Sequence, residues 1–355
     1  MAKKVSRSAR NSARATGNFV KWLPKAVKHF FQGIPLTVKR VKPWAVTFRG
    51  TLTILCLIGV FVLPIFTSNL YYLGVFDTAN IFVIFAASWD LLAGFVGQTS
   101  FGQAAFLGIG GYATAAFARY YGQSWWMAMI LGAVVAVLIG LLIGIPCLRL
   151  RGPYLALGTL AFSLILTDIF LSPNLPLGGT GGVSRVPPIS PSPVVEYLVI
   201  LIVMALSVLI MIAIGNSRVG TVFKAIRDDE TSAEASGINA TKYKLLAFVI
   251  SSFFAGIAGA LFALHFSAVN AEIYAPLYSF YAIIMATLGG IATIFGSLGG
   301  AYFFIFLFQF LSGTGSLAYL IFAVILIVVL RFASGGLIRP LMERLRQLWD
   351  ILLGR

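Results

Sequence analysis

Residues 278–311 read YSFYAIIMATLGGIATIFGSLGGAYFFIFLFQFL, 34 positions without a single charged side chain. One helix over that stretch would run about 51 Å at ~1.5 Å per residue, too long for a hydrocarbon core of ~30 Å. The glycines from Gly289 to Gly300 offer the place to break. The stretch therefore predicts two short passes rather than one. That choice sets the parity of the whole chain.

Outward from it, further apolar runs long enough to span fall near 51–66, 79–96, 104–118, 125–148, 154–171, 194–215, 245–266 and 317–332. With the two passes, the count is ten crossings, and both termini share one side. The basic residues check the count. With the N-terminus inside, Arg149, Arg151, the loop 216–244 and a tail bearing Arg339, Arg344 and Arg346 all fall inside. The outer loops 67–78, 119–124, 172–193, 267–277 and 312–316 then carry only Arg119 and Arg185. A single pass over 278–311 would put the basic tail outside, against the positive-inside rule. A re-entrant hairpin over 79–118 keeps the parity and reduces the count to eight crossing helices plus broken segments. The expected fold is all-α, a polytopic transmembrane helix bundle of about 10 membrane segments (8–10). It is N-in/C-in, with broken glycine-rich segments.

Composition excludes the soluble alternatives. Of 355 residues, 59% are apolar and 10% charged, against about 25% charged in a soluble protein. The 36 glycines suit helices that approach one another closely in lipid. Cys56 and Cys147 lie in apolar runs, so neither a disulfide framework nor a metal spacing is present. His29 and His265 are too few for a histidine-based metal site. No GxxxxGK[ST] occurs, so the chain has no P-loop of its own. No catalytic residue, cofactor or metal is expected.

The net charge of +15 is concentrated at one end. Residues 1–50 hold twelve Lys/Arg and no acid, and the rest of the chain balances to +3. Such a leader directly before a hydrophobic span points to cytoplasmic retention and anionic lipid, not nucleic acid. Residues 1–18 have the composition of a disordered tail. Phe19, Val20, Trp22, Leu23, Ala26, Val27, Phe30 and Phe31 then recur at helical spacing with Lys21, Lys25 and Lys28 between them. That pattern predicts an interfacial amphipathic helix over 19–31. The apolar run comes too late for a signal peptide, and no A-x-A-like site follows. Three regions result: the leader 1–50, a transmembrane domain 51–335 with a cytoplasmic loop at 216–244, and a basic cytoplasmic tail 336–355.

Three features carry chemistry. Residues 93–112, AGFVGQTSFGQAAFLGIGGY, set Gln98, Thr99, Ser100 and Gln103 among glycines. This is either a discontinuous membrane helix bordering a translocation route, or a short cytoplasmic turn between closely packed helices. A looser echo stands at 288–303, LGGIATIFGSLGGAYF. Asp90, about eleven residues into its span, is placed near the midplane, where a carboxylate must face water or protein. It either lines the route or hydrogen-bonds between helices. Asp168 and Glu272 fall near outer ends of spans, where solvation is easy; His265, also near an outer end, is read as packing without a special role. The third feature is 216–244, NSRVGTVFKAIRDDETSAEASGINATKYK, cytoplasmic and mixed in charge. A helix over 222–237, stopped by Gly237, has no lipid partner. Its apolar residues Val222, Phe223, Ala225 and Ile226 need a surface to cover them.

The run 217–263 resembles the cytoplasmic loop and following helix of bacterial ABC importer permeases for branched-chain amino acids, the LivM type. The matching positions are Arg227, Glu230, Ala233, Glu234, Gly237 and Lys242. AGFVGQTSFGQAAFLGIGGYA (93–113), LRLRGPYLALGTLAF (148–162) and GGTGGVS (178–184) agree with it. The resemblance covers about 80–335. Urea and short-amide permeases of the same superfamily look similar, and Asp90 stands where the family commonly has Asn. The resemblance implies a bacterial inner-membrane subunit working by ATP-driven alternating access. Its implied partners are a second homologous permease, two cytoplasmic ABC ATPase subunits and a periplasmic substrate-binding protein. Phe223, Arg227, Asp228, Asp229, Glu230, Glu234 and Gly237 would couple to the ATPase. Asp90, Gln98, Thr99, Ser100 and Gln103 would border the translocation pathway. An ion-coupled secondary transporter ranks lower, because that class needs several paired intramembrane charges and only Asp90 sits deep. A membrane enzyme ranks lower still, because no His/Asp/Glu cluster gathers on one face.

Overall fold

The computed structural model describes residues 69–147, 153–172, 179 and 181–312, with 320, 321, 323, 324 and 327 of the following stretch. The leader helix 19–31, the apolar run 51–66, most of the run 317–332 and the tail 336–355 lie outside the described residues.

Ten helices carry the described chain: α1 Leu70–Val96, α2 Gln103–Tyr120, α3 Trp125–Cys147, α4 Pro153–Leu171, α5 Pro193–Gly215, α6 Arg218–Asp228, α7 Glu230–Ala235, α8 Ala240–His265, α9 Pro276–Gly289 and α10 Ile294–Leu311. Six of them, α1, α3, α4, α5, α8 and α10, are long and apolar enough to cross a membrane, and α9 is a shorter apolar helix. The only strands among the described residues are β1 (Val183–Ser184) and β2 (Ala268–Val269), an antiparallel two-residue pair.

Helix α1 is the spine. Its best apolar window is 94% buried, far more than that of α4 at 22%. An intramembrane helix so enclosed must meet protein on every face, and α1 packs on α5, α8, α9 and α10. A second nucleus joins α2, α3 and α8 through small residues. A methyl group added at Gly259 of α8 would stand 1.8 Å from the Leu107 carbonyl oxygen of α2. Between helices in lipid, dispersion and close backbone approach replace the hydrophobic drive, and glycine permits that approach.

Two boundaries differ from the sequence reading. The run expected at 79–96 begins nine residues earlier, at Leu70, so most of the supposed outer loop 67–78 is helical. Asn69 caps it, its side chain accepting from Tyr71 N–H at 3.0 Å. Asp77, within that supposed loop, is buried with its carboxylate 4.0 Å from His265 Nδ1. A lone acid breaks an apolar run in sequence, but not a helix that turns that acid toward a cationic or hydrogen-bonding partner. Asp90 lies twenty residues into the longer helix and six before its end. In 278–311 the chain turns over residues 290–293, so Gly296 and Gly300 are helical.

Candidate functional site

The segment between α5 and α8 is built from local hydrogen bonds. Ser217 opens α6, its hydroxyl donating to the Ile214 carbonyl at 2.7 Å and accepting from Gly220 N–H at 3.4 Å. The single helix expected over 222–237 is two helices. Asp229 is extended (φ −159°, ψ 111°) and leaves α6. Its carboxylate then caps α7, accepting from Thr231 Oγ1 at 2.6 Å, Ser232 Oγ at 2.8 Å and the N–H groups of Thr231 and Ser232. Those bonds, the Thr231 hydroxyl foremost, hold the Asp229 carboxyl down to about 2. An aspartate with two hydroxyl-bearing residues after it starts a new helix better than it continues an old one. Gly237, at φ +84°, ends α7: its N–H reaches the Glu234 carbonyl at 3.0 Å, and Ile238 N–H reaches that of Ala233 at 3.1 Å.

The inner face of this segment is covered by the chain itself, which corrects the expectation that Phe223 and Ile226 await an external surface. Both are buried, with Phe223 edge-on to Tyr243 of α8 at 6.5 Å. The amphipathic spacing was read correctly, but it is satisfied within the bundle. The acids divide similarly. Asp228 pairs with Arg227 at 2.9 Å, and Glu230 pairs with the buried Lys244 of α8 at 2.6 Å. Glu234, Ala235, Ser236 and Gly237 remain exposed, a polar face with no apolar stripe.

Above α6 lies the end of α1. Arg227 Nη1 donates to the Gly94 carbonyl at 3.1 Å, and Lys224 Nζ stands 5.4 Å above the Phe95 ring. Gly94 is among the last four residues of α1, whose carbonyls lack helical partners. The Arg227 guanidinium supplies one. One turn earlier in α1, Asp90 Oδ1 accepts from Ala292 N–H at 2.7 Å, in the turn between α9 and α10. Asp90 Oδ2 has no hydrogen-bond partner among the described residues.

The residues read as bordering a route divide in two. Thr99 is exposed and Gln98 half-buried, both in the connection from α1 to α2. Asp90, Ser100 and Gln103 are fully buried within the chain. The Ser100 carbonyl accepts from Trp89 Nε1 at 2.8 Å. Gln103 Nε2 donates to the hydroxyls of Ser88 at 2.8 Å and Ser251 at 3.0 Å, tying α2 to α1 and α8. Ser251 in turn donates to the Ser88 carbonyl at 2.7 Å. The sequence reading missed Ser88 and Ser251, since isolated serines in apolar runs carry no signal of a common partner. It also missed a cluster at the far end of the bundle, where His265 Nδ1 lies 2.9 Å from Glu196 Oε1 and 4.0 Å from Asp77 Oδ2. His265 is thus paired, not merely packed.

A family model described as branched-chain amino acid transport system / permease component matches residues 71–330. The chain belongs to this family. It is a multi-pass helical membrane protein. The chain is 30% identical over 244 residues to the high-affinity branched-chain amino acid transport system permease protein LivM of Salmonella typhimurium, covering 61% of this chain and 57% of that protein. It is 29% identical over 273 residues to the protein of the same name from Escherichia coli K12, covering 68% and 64%. A probable branched-chain amino acid transport permease protein LivM of Methanocaldococcus jannaschii is 25% identical over 234 residues, covering 60% and 67%. The matched part of the permease thus spans under two thirds of the two bacterial relatives. No solved structure matches it.

Proposed function

We propose that this permease is the membrane-spanning subunit of an ABC importer for branched-chain or related amino acids, residing in a bacterial inner membrane. A second permease subunit completes the pore, two ATPase subunits bind at the α6–α7 end, and a periplasmic binding protein delivers substrate at the other. Ten crossings with both termini inside accord with the distribution of Lys and Arg. ATP-driven closure of the ATPase pair displaces α6–α7 and rocks the helices between outward- and inward-open arrangements. The translocation pathway runs past the connection that holds the exposed Thr99 and the half-buried Gln98.

The observation that carries this reading is the two-faced build of α6–α7. Phe223, Ile226 and Ala233 anchor it on the bundle, while Glu234 to Gly237 stay exposed and free to dock. A segment gripped on one side and polar on the other transmits force between a soluble partner and membrane helices. The test is co-purification of the ATPase with Glu234→Lys and Gly237→Arg, combined with substrate-stimulated ATP hydrolysis. Nothing stands within 4 Å of a Cβ at Gly237, so arginine finds room and its effect falls on the backbone turn and the docking face. Loss of the ATPase or of stimulation supports the reading. Retention of both in both variants refutes it.

A further inference from the structure

We propose that Asp90 and Arg227 are positioning residues. Through one turn of α1, they pass displacement of α6–α7 to the turn 290–293, which is the receiving element inside the membrane domain. The inference rests on the coupling role of α6–α7 proposed above and adds where its movement goes.

The argument begins with Gly94. An added Cβ there would lie 2.2 Å from Asp90 Oδ1, 2.6 Å from the Ala292 nitrogen and 2.9 Å from Ala292 Cα. The turn 290–293 therefore rests directly on the α1 backbone, with no side chain between. The carbonyl of the same Gly94 accepts from Arg227 Nη1. One residue of the spine thus meets both α6 and the turn 290–293.

Both contacts are specific to position. Arg227 is the penultimate residue of α6, and its Nε and Nη2 also bind the Asp228 carboxylate at 3.1 and 2.9 Å. It therefore sits beside the break at Asp229 between α6 and α7, where a force on α7 is first felt. Ala292 has φ +63°, a left-handed conformation that alanine does not keep by preference. The Asp90 carboxylate, bonded to its N–H, holds it there. A turn kept in an unfavoured shape by one carboxylate has a second shape available once that contact shifts. The turn also presents Ile291 with 52% of its surface exposed, so its movement changes what the bundle shows outside.

The test uses the whole complex, permease with its ATPase subunits in lipid nanodiscs, lacking Cys56 and Cys147. Spin labels at Ile291→Cys and at Tyr120→Cys, the latter at the far end of α2, report their separation without nucleotide and after ATP–vanadate trapping. Import of leucine per ATP hydrolysed is measured on the same complexes in liposomes. The expected result is a shifted distance distribution on trapping in the parent. Asp90→Leu and Arg227→Gln should lose that shift and import at least tenfold less leucine per ATP. Asp90→Asn, which keeps the Oδ1 acceptor, should restore both. The ratio does not depend on how much complex folds, so a merely structural role would leave it unchanged. If Arg227→Gln sheds the ATPase, Asp90→Leu decides alone. If Asp90→Leu does not assemble, Ala292→Gly decides: it relaxes the turn and should weaken the shift without removing any side-chain contact. An unmoved label in the trapped parent, or an assembled variant with normal shift and normal import per ATP, overturns the proposal. Failure of the parent to retain its ATPase would instead overturn the coupling reading on which it rests.

Discussion

Gly259→Ala tests whether the α2–α8 contact carries the fold. The added methyl would lie 1.8 Å from the Leu107 carbonyl oxygen, 2.7 Å from the Leu107 carbonyl carbon and 2.9 Å from the Gly111 nitrogen. All three are backbone atoms, so no rotamer change can relieve the clash. Restoring a carbon-to-oxygen contact of ~3.3 Å requires α2 and α8 to part by about 1.5 Å, an estimate taken from that single distance. Overpacking costs about 1–3 kcal/mol, and rigid backbone on both sides puts this site at ~3. Alanine returns ~0.5–1 kcal/mol through its better helix propensity. The net loss is roughly 2 kcal/mol, a shift of roughly 2–3 °C in melting temperature for a chain this size. Gly74→Ala is the control: nothing lies within 4 Å of its Cβ, so only the propensity gain remains. The assay is fluorescence-detected size exclusion of the detergent-purified protein after a heating series. Gly259→Ala melting at or above the parent, or together with Gly74→Ala, would refute the close-contact account.

Three further outcomes are expected. Glu230→Gln leaves the ammonium of the buried Lys244 without its counter-charge; because Glu230 is itself 35% exposed, the loss is put at about 1–2 kcal/mol, read as a lower melting temperature that Lys244→Met added to the same chain largely restores. His265→Leu removes the group that faces both Glu196 and Asp77, so trypsin should cut the outer connections faster than in the parent, and an unchanged digestion pattern would show that the pair is idle. For the leader, Phe30→Glu with Phe31→Glu should lower the yield of membrane-assembled complex while deletion of 1–18 should not, and equal yields from the double variant and the parent would dismiss an interfacial anchor.

Length of apolar runs, scarcity of charge and placement of glycine are local properties, and they were enough to read a helical membrane protein from this sequence. They located the apolar runs that become α3, α4, α5 and α8 to within a few residues, because lipid demands that each segment satisfy its own backbone and so makes hydropathy a direct record of structure. The same reasoning failed wherever a polar residue was answered from far away. The first turns of α1 were assigned to an outer loop, whereas Asp77 there faces His265, itself paired with Glu196, at the ends of two other helices. Phe223 and Ile226 called for a partner because the covering surface, with Tyr243 of α8 edge-on to Phe223, was not visible in the sequence. For Asp90 the sequence left two readings open, a route-lining group or a hydrogen bond between helices, and its acceptor oxygen is taken by Ala292, 202 positions later in the chain. Burying a charge or a backbone N–H is decided by whatever lies within about 3 Å of it. That neighbourhood is set by helix packing across hundreds of residues, so only the tertiary structure could supply it.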